Sequence, residues 1–245
     1  MHVDGPPTLE VDGLVATIHL RRPAEHNRID PDDVAIIRGY LDNSSLYPSA
    51  RALVFTGTGE TTFSSGYTVD AIVGRLDRDF EDLLDAIERF PLPTICALNG
   101  SVYGGATDLA LCCDFRIGVR GSRMFMPAAR FGLHYYPGGL RRAVAVVGAA
   151  QAKRIFLTAQ TLDADEMLRI GFLTELVDRQ DLASRVEAYV AALADCEPGV
   201  VRSMKRQIDA IAAGDRARGE SRAEYQASLE SEELRRRLAR NSRQP

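Results

Sequence analysis

The order of short apolar strand, glycine-rich loop and helix is the feature that most constrains the fold of this chain, because it occurs twice in succession. The first occurrence consists of an apolar strand at 51–57, a loop of small residues, and a helix at 79–90 whose apolar residues recur at helical spacing. The second leads from the apolar segment 93–100 into Gly104, Gly105 and a short helix. Loops that follow buried strands commonly build the site of an α/β fold. The pattern therefore predicts an α/β core whose site is formed by these loops.

The N-terminal part carries two further signals of local structure. Two β-rich runs flank Asp12 and Gly13, a two-residue turn signal that predicts a β-hairpin. Further on, Asp30 has the character of an N-cap and Pro31 suits the first helical position. These residues predict a helix that continues to about Asn43.

The sequence becomes mostly helical from about Gly138 onward. We therefore divide the chain into a core at 1–190 and a C-terminal helical region at 191–245. The charge-rich end of this region has interspersed apolar positions. It is either a solvated terminal helix or a helix that packs on a neighbouring subunit, and we assign the region to oligomerisation.

Composition narrows the range of partners. The 245 residues are 45% hydrophobic and include 30 basic and 34 acidic side chains, for a net charge of -4. This balance gives no electrostatic reason to expect nucleic acid or a membrane as a general partner. The sequence has no signal peptide and no run long enough to span a bilayer, so we expect a cytoplasmic protein. The cysteines lack metal-ligand spacing and are expected to be reduced, buried thiols: Cys96, Cys112, Cys113 and Cys196.

Two glycine-containing loops offer backbone N–H groups to a ligand. Gly104 and Gly105 lie where a strand has ended and a helix begins, and the amides of a first helical turn have no partner within the helix. In the earlier loop, Gly66 presents the amide of Tyr67. Two such amides that converge on one carbonyl oxygen would form an oxyanion hole.

Five segments, in this order over roughly residues 8 to 210, carry a resemblance to a known family: RPAEHN, ALVFTGTGETTFSSG, PTICALNGSVYGGATDLALCCD, MPAARFGLHYYPGGLRR and AQAKRIFLTAQTLDADEMLRIGFLTELV. The set resembles the enoyl-CoA hydratase/isomerase (crotonase) superfamily. The resemblance implies a spiral of ββα units with a C-terminal helical region, assembled as a homotrimer or a hexamer (a dimer of trimers). It also implies an acyl-CoA thioester substrate, no cofactor beyond the coenzyme A of that substrate, and oxyanion donors at Tyr67 and Gly105.

The carboxylates depart from the pattern of the family. Hydratases of the family have two glutamates that activate water and deliver a proton, and the first of these positions falls on Asp108, whose side chain is shorter by ~1.5 Å. The second falls on Ala128, which cannot transfer a proton. The loss of an acid or base typically costs ~10²–10⁴-fold in rate. The resemblance therefore implies catalytic roles for Asp108, Tyr67 and Gly105 within an altered acid/base pair.

Other residues near the aligned positions are candidates for contact with the substrate. His134, Tyr135 and Tyr136 either supply a proton or pack the acyl pocket, and Arg130 is placed to hold a substrate carboxylate. The candidates for substrate binding are these: Ser65, Gly66, Gly104, Ala128, Arg130, His134 and Tyr135.

Three functions are compatible with these residues. The first is an enzyme of the hydratase/isomerase type in acyl-CoA metabolism that stabilises a thioester enolate; a single acid suits double-bond isomerisation better than water addition. The second is a hydrolase or decarboxylase of the same fold that acts on an acyl-CoA or a β-diketone. The third is an acyl-CoA-binding protein without catalytic activity.

Overall fold

The computed structural model describes residues 4–241, which fall into two compact units. The first unit ends at Asp195 and the second begins at Cys196. Our predicted boundary after residue 190 lies inside the helix Leu182–Asp195, and the boundary between the units comes at the end of that helix.

Strands are confined to the first unit among the described residues. They are β1 (Thr8–Asp12), β2 (Val15–Leu20), β3 (Ala52–Gly57), β4 (Thr62–Ser64), β5 (Thr94–Leu98), β6 (Ser101–Tyr103), β7 (Phe115–Val119), β8 (Arg123–Phe125), β9 (Leu162–Asp163) and β10 (Glu175–Val177). The large sheet has the order β1-β2-β3-β5-β7-β10 and is parallel except for the β1–β2 pair. The small sheet has the order β4-β6-β8-β9, with β8 and β9 antiparallel.

The helices occur in both units. In the first unit they are α1 (Pro31–Asp42), α2 (Ile72–Arg75), α3 (Arg78–Glu88), α4 (Gly105–Cys112), α5 (Pro137–Thr158), α6 (Ala164–Arg169) and α7 (Leu182–Asp195). In the second unit they are α8 (Pro198–Ala212), α9 (Arg216–Gly219), α10 (Ala223–Glu230) and α11 (Glu232–Asn241). Each helix found within residues 4–241 is too short or too polar to cross a lipid bilayer.

The predicted spiral of ββα units is confirmed. Three successive pairs of strands, β3–β4, β5–β6 and β7–β8, are each followed by helices. The first strand of each pair joins the large sheet and the second joins the small sheet. The loop that follows β4 and the loop between β6 and α4 are consequently neighbours, because β4 and β6 pair in parallel.

The predicted N-terminal hairpin and first helix are also confirmed, with small differences. Asp12 pairs with Val15, so the turn consists of Gly13 and Leu14 and lies one residue later than predicted. Gly13 has a φ of +54°, a conformation that glycine adopts at little cost. Helix α1 has Asp30 as its N-cap and ends at Asp42, one residue before the predicted end.

The hydrophobic core covers both faces of the large sheet. On one face, Phe55 of β3 packs in a cluster that includes Leu84 of α3 and Leu109 of α4. On the other face, the neighbouring residue Val54 belongs to a second cluster with Val190 of α7. This alternation follows from the two-residue period of a strand, and it places α3 and α4 on the same side of the sheet.

The cysteines are buried as predicted at three positions, Cys96, Cys112 and Cys113, whereas Cys196 is exposed and the prediction is wrong there. Burial raises the pKa of the Cys112 thiol well above its usual value. It does the same for Cys113, where the neighbouring Cys96 adds to the effect.

Thiol reactivity should follow this burial, since the thiolate is the reactive form. With an aromatic disulfide reagent at pH 8, the folded protein is expected to lose one thiol per chain rapidly and the other three only in denaturant. Cys196→Ser should remove the rapid phase. Two or more rapid thiols in the folded protein would contradict the buried placement.

Candidate active site

A cavity of ≈ 340 Å³ lies in the first unit, where the loop after β4 meets the start of α4. It contains most of the candidate residues from the sequence. The predicted residues in its wall are Ser65, Tyr67, Gly104, Gly105, Ala128, His134 and Tyr135. The rest of the wall is largely apolar and includes Val69, Ile72, Leu76, Met126 and Leu133.

Two backbone amides point to the chemistry of this cavity. An ideal Cβ atom on Gly105 would lie 3.4 Å from the backbone nitrogen of Tyr67, so the two loops are in contact. Within residues 4–241, the N–H groups of Tyr67 and Gly105 donate no hydrogen bond to the protein. A buried N–H normally has a partner, and these two are thus available to an acceptor on a ligand.

The conformation of Gly66 positions the first of these amides. Its φ of +86° lies in the left-handed region that favours glycine. Its carbonyl accepts a hydrogen bond from the Ile29 N–H at 2.8 Å, and its own N–H donates to the Ser64 hydroxyl at 3.0 Å. Gly66 is not part of the cavity wall, but it fixes the direction of the peptide that presents the Tyr67 amide.

Asp108 lies in the first turn of α4, fully buried behind the wall of the cavity. Its carboxylate accepts four hydrogen bonds. The Arg142 guanidinium donates two of them, from Nε at 2.9 Å and from Nη2 at 3.2 Å. The Tyr135 hydroxyl donates a third at 3.2 Å and the Tyr136 hydroxyl donates the fourth. The carboxylate of Asp108 is therefore fully hydrogen-bonded to side chains of the protein interior.

The partner of this carboxylate, Arg142 of α5, is only 1% exposed. Its Nη1 atom also donates to Asp85 at 2.9 Å and to Glu88 at 3.2 Å, both on α3. Burial disfavours the guanidinium charge, but the surrounding groups, including the hydrogen-bonded Asp108, outweigh it and raise the pKa of Arg142. Arg142 thus joins α3, α4 and α5 behind the cavity.

Tyr135 and Tyr136 separate the cavity from Asp108. Both rings lie in the cavity wall and stack on each other with a centroid distance of 4.7 Å. Burial, followed by the nearby charge of Asp108, raises the pKa of both phenols well above the usual value. Each side chain is consequently a neutral phenol whose hydroxyl proton is directed at Asp108.

The remaining candidates occupy different positions. Ala128 is buried in the cavity wall and offers only a methyl group. His134 is an exposed part of the wall, and its imidazole has no hydrogen-bond partner in the described part of the chain. Arg130 does not line the cavity; its Nη2 atom donates to the carbonyl of Ala159 at 2.6 Å.

Sequence reasoning missed three residues of α3 that line the cavity, which are Arg78, Phe80 and Glu81. The Phe80 ring would lie 2.9 Å from a Cβ atom on Gly105, and it meets the Tyr67 ring edge to face with a centroid distance of 5.2 Å. Glu81 follows it in the wall. The apolar periodicity at 79–90 predicts the helix but not its contact with the cavity. The only sequence signal for that contact is the acid Glu81 beside the aromatic residue Phe80 in the first turn of the helix.

The described residues contain no group of three or more histidine, cysteine, aspartate or glutamate side chains that could hold a metal ion.

Comparison with known proteins gives one family for the chain. The family model of enoyl-CoA hydratase/isomerase matches residues 10–236. The crotonyl-CoA hydratase of Syntrophomonas wolfei is 29% identical over 189 residues, which cover 73% of this chain and 72% of that protein. The short-chain-enoyl-CoA hydratase of Clostridium acetobutylicum is 29% identical over 214 residues, which cover 82% of this chain and 80% of that protein.

A solved structure agrees with these matches. The crystal structure of an enoyl-CoA hydratase/isomerase family member superposes with a TM-score of 0.87 at 25% identity, over 100% of this chain and 97% of the other. The shared fold is the ββα spiral described above. By sequence and by structure, the chain belongs to the enoyl-CoA hydratase/isomerase family, whose members are enzymes.

Proposed function

We propose that this chain binds an acyl-CoA thioester and stabilises its enolate at the N–H groups of Tyr67 and Gly105. The observation that carries the proposal is a pair of amides in the wall of one apolar cavity that donate to no acceptor in the described part of the chain. A fixed donor directed at a developing oxyanion is typically worth ~10²–10³-fold in rate. The N-terminal end of α4 adds a favourable dipole at Gly105.

The apolar wall suits the acyl chain of such a substrate. Val69, Ile72 and Leu133 offer hydrocarbon surface, while the aromatic ring of Phe80 packs against Gly105. Ligand sites typically combine such surface with a few polar groups that fix orientation. Here the two amides orient the carbonyl and the apolar residues exclude water from the enolate.

The acid/base groups favour proton transfer over the addition of water. Water addition by the mechanism of the family uses two acids, and Ala128 has none to offer. The carboxylate of Asp108 is held by Arg142 and covered by two tyrosines. Isomerisation of a double bond needs only one group that takes and returns a proton. We therefore favour an isomerase-type reaction on an enoyl-CoA.

A panel of enoyl-, 3-hydroxyacyl- and β-ketoacyl-CoA substrates tests this function. Purified protein is expected to change enoyl absorbance without releasing free thiol. Release of coenzyme A would favour the hydrolase alternative. Arg130 does not support that alternative, because its side chain does not line the cavity. Calorimetric binding of acyl-CoA without turnover of any substrate would favour the non-catalytic binder, a candidate supported by the engaged Asp108.

We also propose that the second unit assembles the chain into a homotrimer or hexamer in the cytoplasm. Helix α8 has exposed apolar side chains at helical spacing: Val200, Met204, Ile208 and Ile211. Such a stripe commonly covers a partner. Light scattering of the purified protein should give three or six times the mass of the chain, and a monomer would contradict the assembly.

A further inference from the structure

Glu81 is a cavity carboxylate without a hydrogen-bond or ion-pair partner among the described residues. It lies in the first turn of α3, half-buried, in the wall of the cavity. Within residues 4–241 its side chain accepts no hydrogen bond and forms no ion pair, although neighbouring acids of the same helix, Asp85 and Glu88, are paired with arginines. A partly buried carboxylate without a partner is costly unless a ligand or function uses it.

The position of Glu81 relates it to the two amides. The preceding residue, Phe80, touches Gly105 and packs against the Tyr67 ring. The first turn of α3 is therefore attached to the same backbone that presents both N–H groups. Because Glu81 and these amides line one cavity, a thioester held by the amides places its acyl carbons in the space that Glu81 borders.

Other titratable groups of the cavity are less suited to move a proton. The Tyr135 and Tyr136 hydroxyls donate to Asp108. The Asp77 carboxylate is exposed and accepts from the Asp79 N–H at 2.9 Å, where it caps α3. The Arg78 guanidinium offers N–H donors and no acceptor, so it cannot serve as a base. The Tyr67 hydroxyl donates to the Arg75 carbonyl at 2.7 Å. His134 then remains as the competitor in the described wall, and it is exposed on a loop.

We infer that Glu81 is the catalytic base and acid of this site, in place of the Asp108 expected from the sequence; the inference rests on the proposed function. On a 3-enoyl-CoA, a Glu81 oxygen takes a proton from C2, and the electron pair of the C–H bond forms the dienolate. The negative charge on the thioester oxygen is stabilised by the Tyr67 and Gly105 N–H groups. Glu81 then returns its proton to C4, which leaves a 2-enoyl-CoA and consumes no other reactant.

The test compares four proteins on 3-hexenoyl-CoA, with hexanoyl-CoA as a non-isomerising ligand. Glu81→Gln should lower the isomerisation rate and the exchange of C2 protons in heavy water at least ~10²-fold, while its dissociation constant for hexanoyl-CoA stays within about threefold of wild type. Asp79→Asn removes the same charge from the same turn of α3 outside the cavity and should keep both rates. His134→Gln tests whether the His134 imidazole, the competing group of the cavity wall, transfers the proton instead of Glu81.

The pH profile separates proton transfer from a structural role. Wild type and Asp79→Asn should lose kcat/KM on the acid side, where a catalytic carboxylate becomes protonated, and the residual activity of Glu81→Gln should lack this limb. Unchanged exchange in Glu81→Gln, or a large loss confined to His134→Gln, would overturn the role of Glu81 and leave the proposed function standing. Failure of the wild-type protein to bind hexanoyl-CoA would overturn both.

Discussion

Gly66→Ala should lower kcat/KM at least ~100-fold on any acyl-CoA that the wild-type protein converts, because it displaces the amides of the site. An ideal Cβ on Gly66 would lie 2.6 Å from the nitrogen of Gly105, 2.8 Å from the carbonyl oxygen of Tyr103 and 2.9 Å from the nitrogen of Ala106. These are backbone atoms at the end of β6 and the start of α4, so relief of the clash must move the peptide that presents the Gly105 N–H. Steady-state kinetics and acyl-CoA binding measure the effect.

Gly121→Ala is the matched control for backbone strain. Gly121 has a φ of +81°, close to the +86° of Gly66, but a Cβ atom there would meet nothing within 4 Å. Both substitutions carry the cost of a left-handed residue, ~1–2 kcal/mol, and only one disturbs the amides. Gly121→Ala should therefore keep the activity of wild type. Equal activity of the two variants would contradict the assignment of the amides.

Arg142→Met should destabilise the folded protein by ~3–5 kcal/mol, because it leaves the buried carboxylate of Asp108 without its counter-charge. The loss is a large fraction of the ~5–15 kcal/mol that holds a typical domain together. Asp85 and Glu88 lose the same partner, but they are less buried and their charges remain hydrated. Equilibrium unfolding in urea measures the difference.

Two further variants isolate the buried charge pair. Arg89→Met removes an exposed arginine that also pairs with Asp85, at 3.0 Å, and should cost less than ~1 kcal/mol. Adding Asp108→Asn to Arg142→Met should restore part of the lost stability, since a neutral amide replaces the unpaired charge. A double variant less stable than Arg142→Met alone would show that the pair is not the source of the loss.

The fold followed from the sequence because its signals are local. Short apolar runs ended by glycines give β3 and β5, and Asp30 followed by proline gives the start of α1. The turn at Gly13 differed by one residue because the pairing of Asp12 with Val15, a contact across the hairpin, fixes its register. The sequence also suggested the amides of Tyr67 and Gly105 as candidate donors, since glycine-containing loops after strands imply free backbone N–H groups.

The side-chain chemistry of the site depends on contacts that the sequence does not display. Asp108 occupies the position of an acid in the motif of the family, but its partner Arg142 is 34 residues away along the chain. The spacing of apolar residues in α5 predicts a helix, but it does not predict which charged side chain of that helix is buried. Similarly, Glu81 is one of several acids in α3, and its place in the cavity wall beside Phe80, which packs on Gly105, is a tertiary contact that the sequence does not display.

Infrared spectroscopy of a bound acyl-CoA labelled with ¹³C at the thioester carbonyl tests the central claim most directly. If the Tyr67 and Gly105 N–H groups bind the carbonyl oxygen, the labelled C=O stretch should move to lower frequency on binding to wild type and to Glu81→Gln. The shift should be absent or much reduced in Gly66→Ala. A bound thioester whose carbonyl frequency in the wild-type protein equals that in water would contradict the oxyanion site.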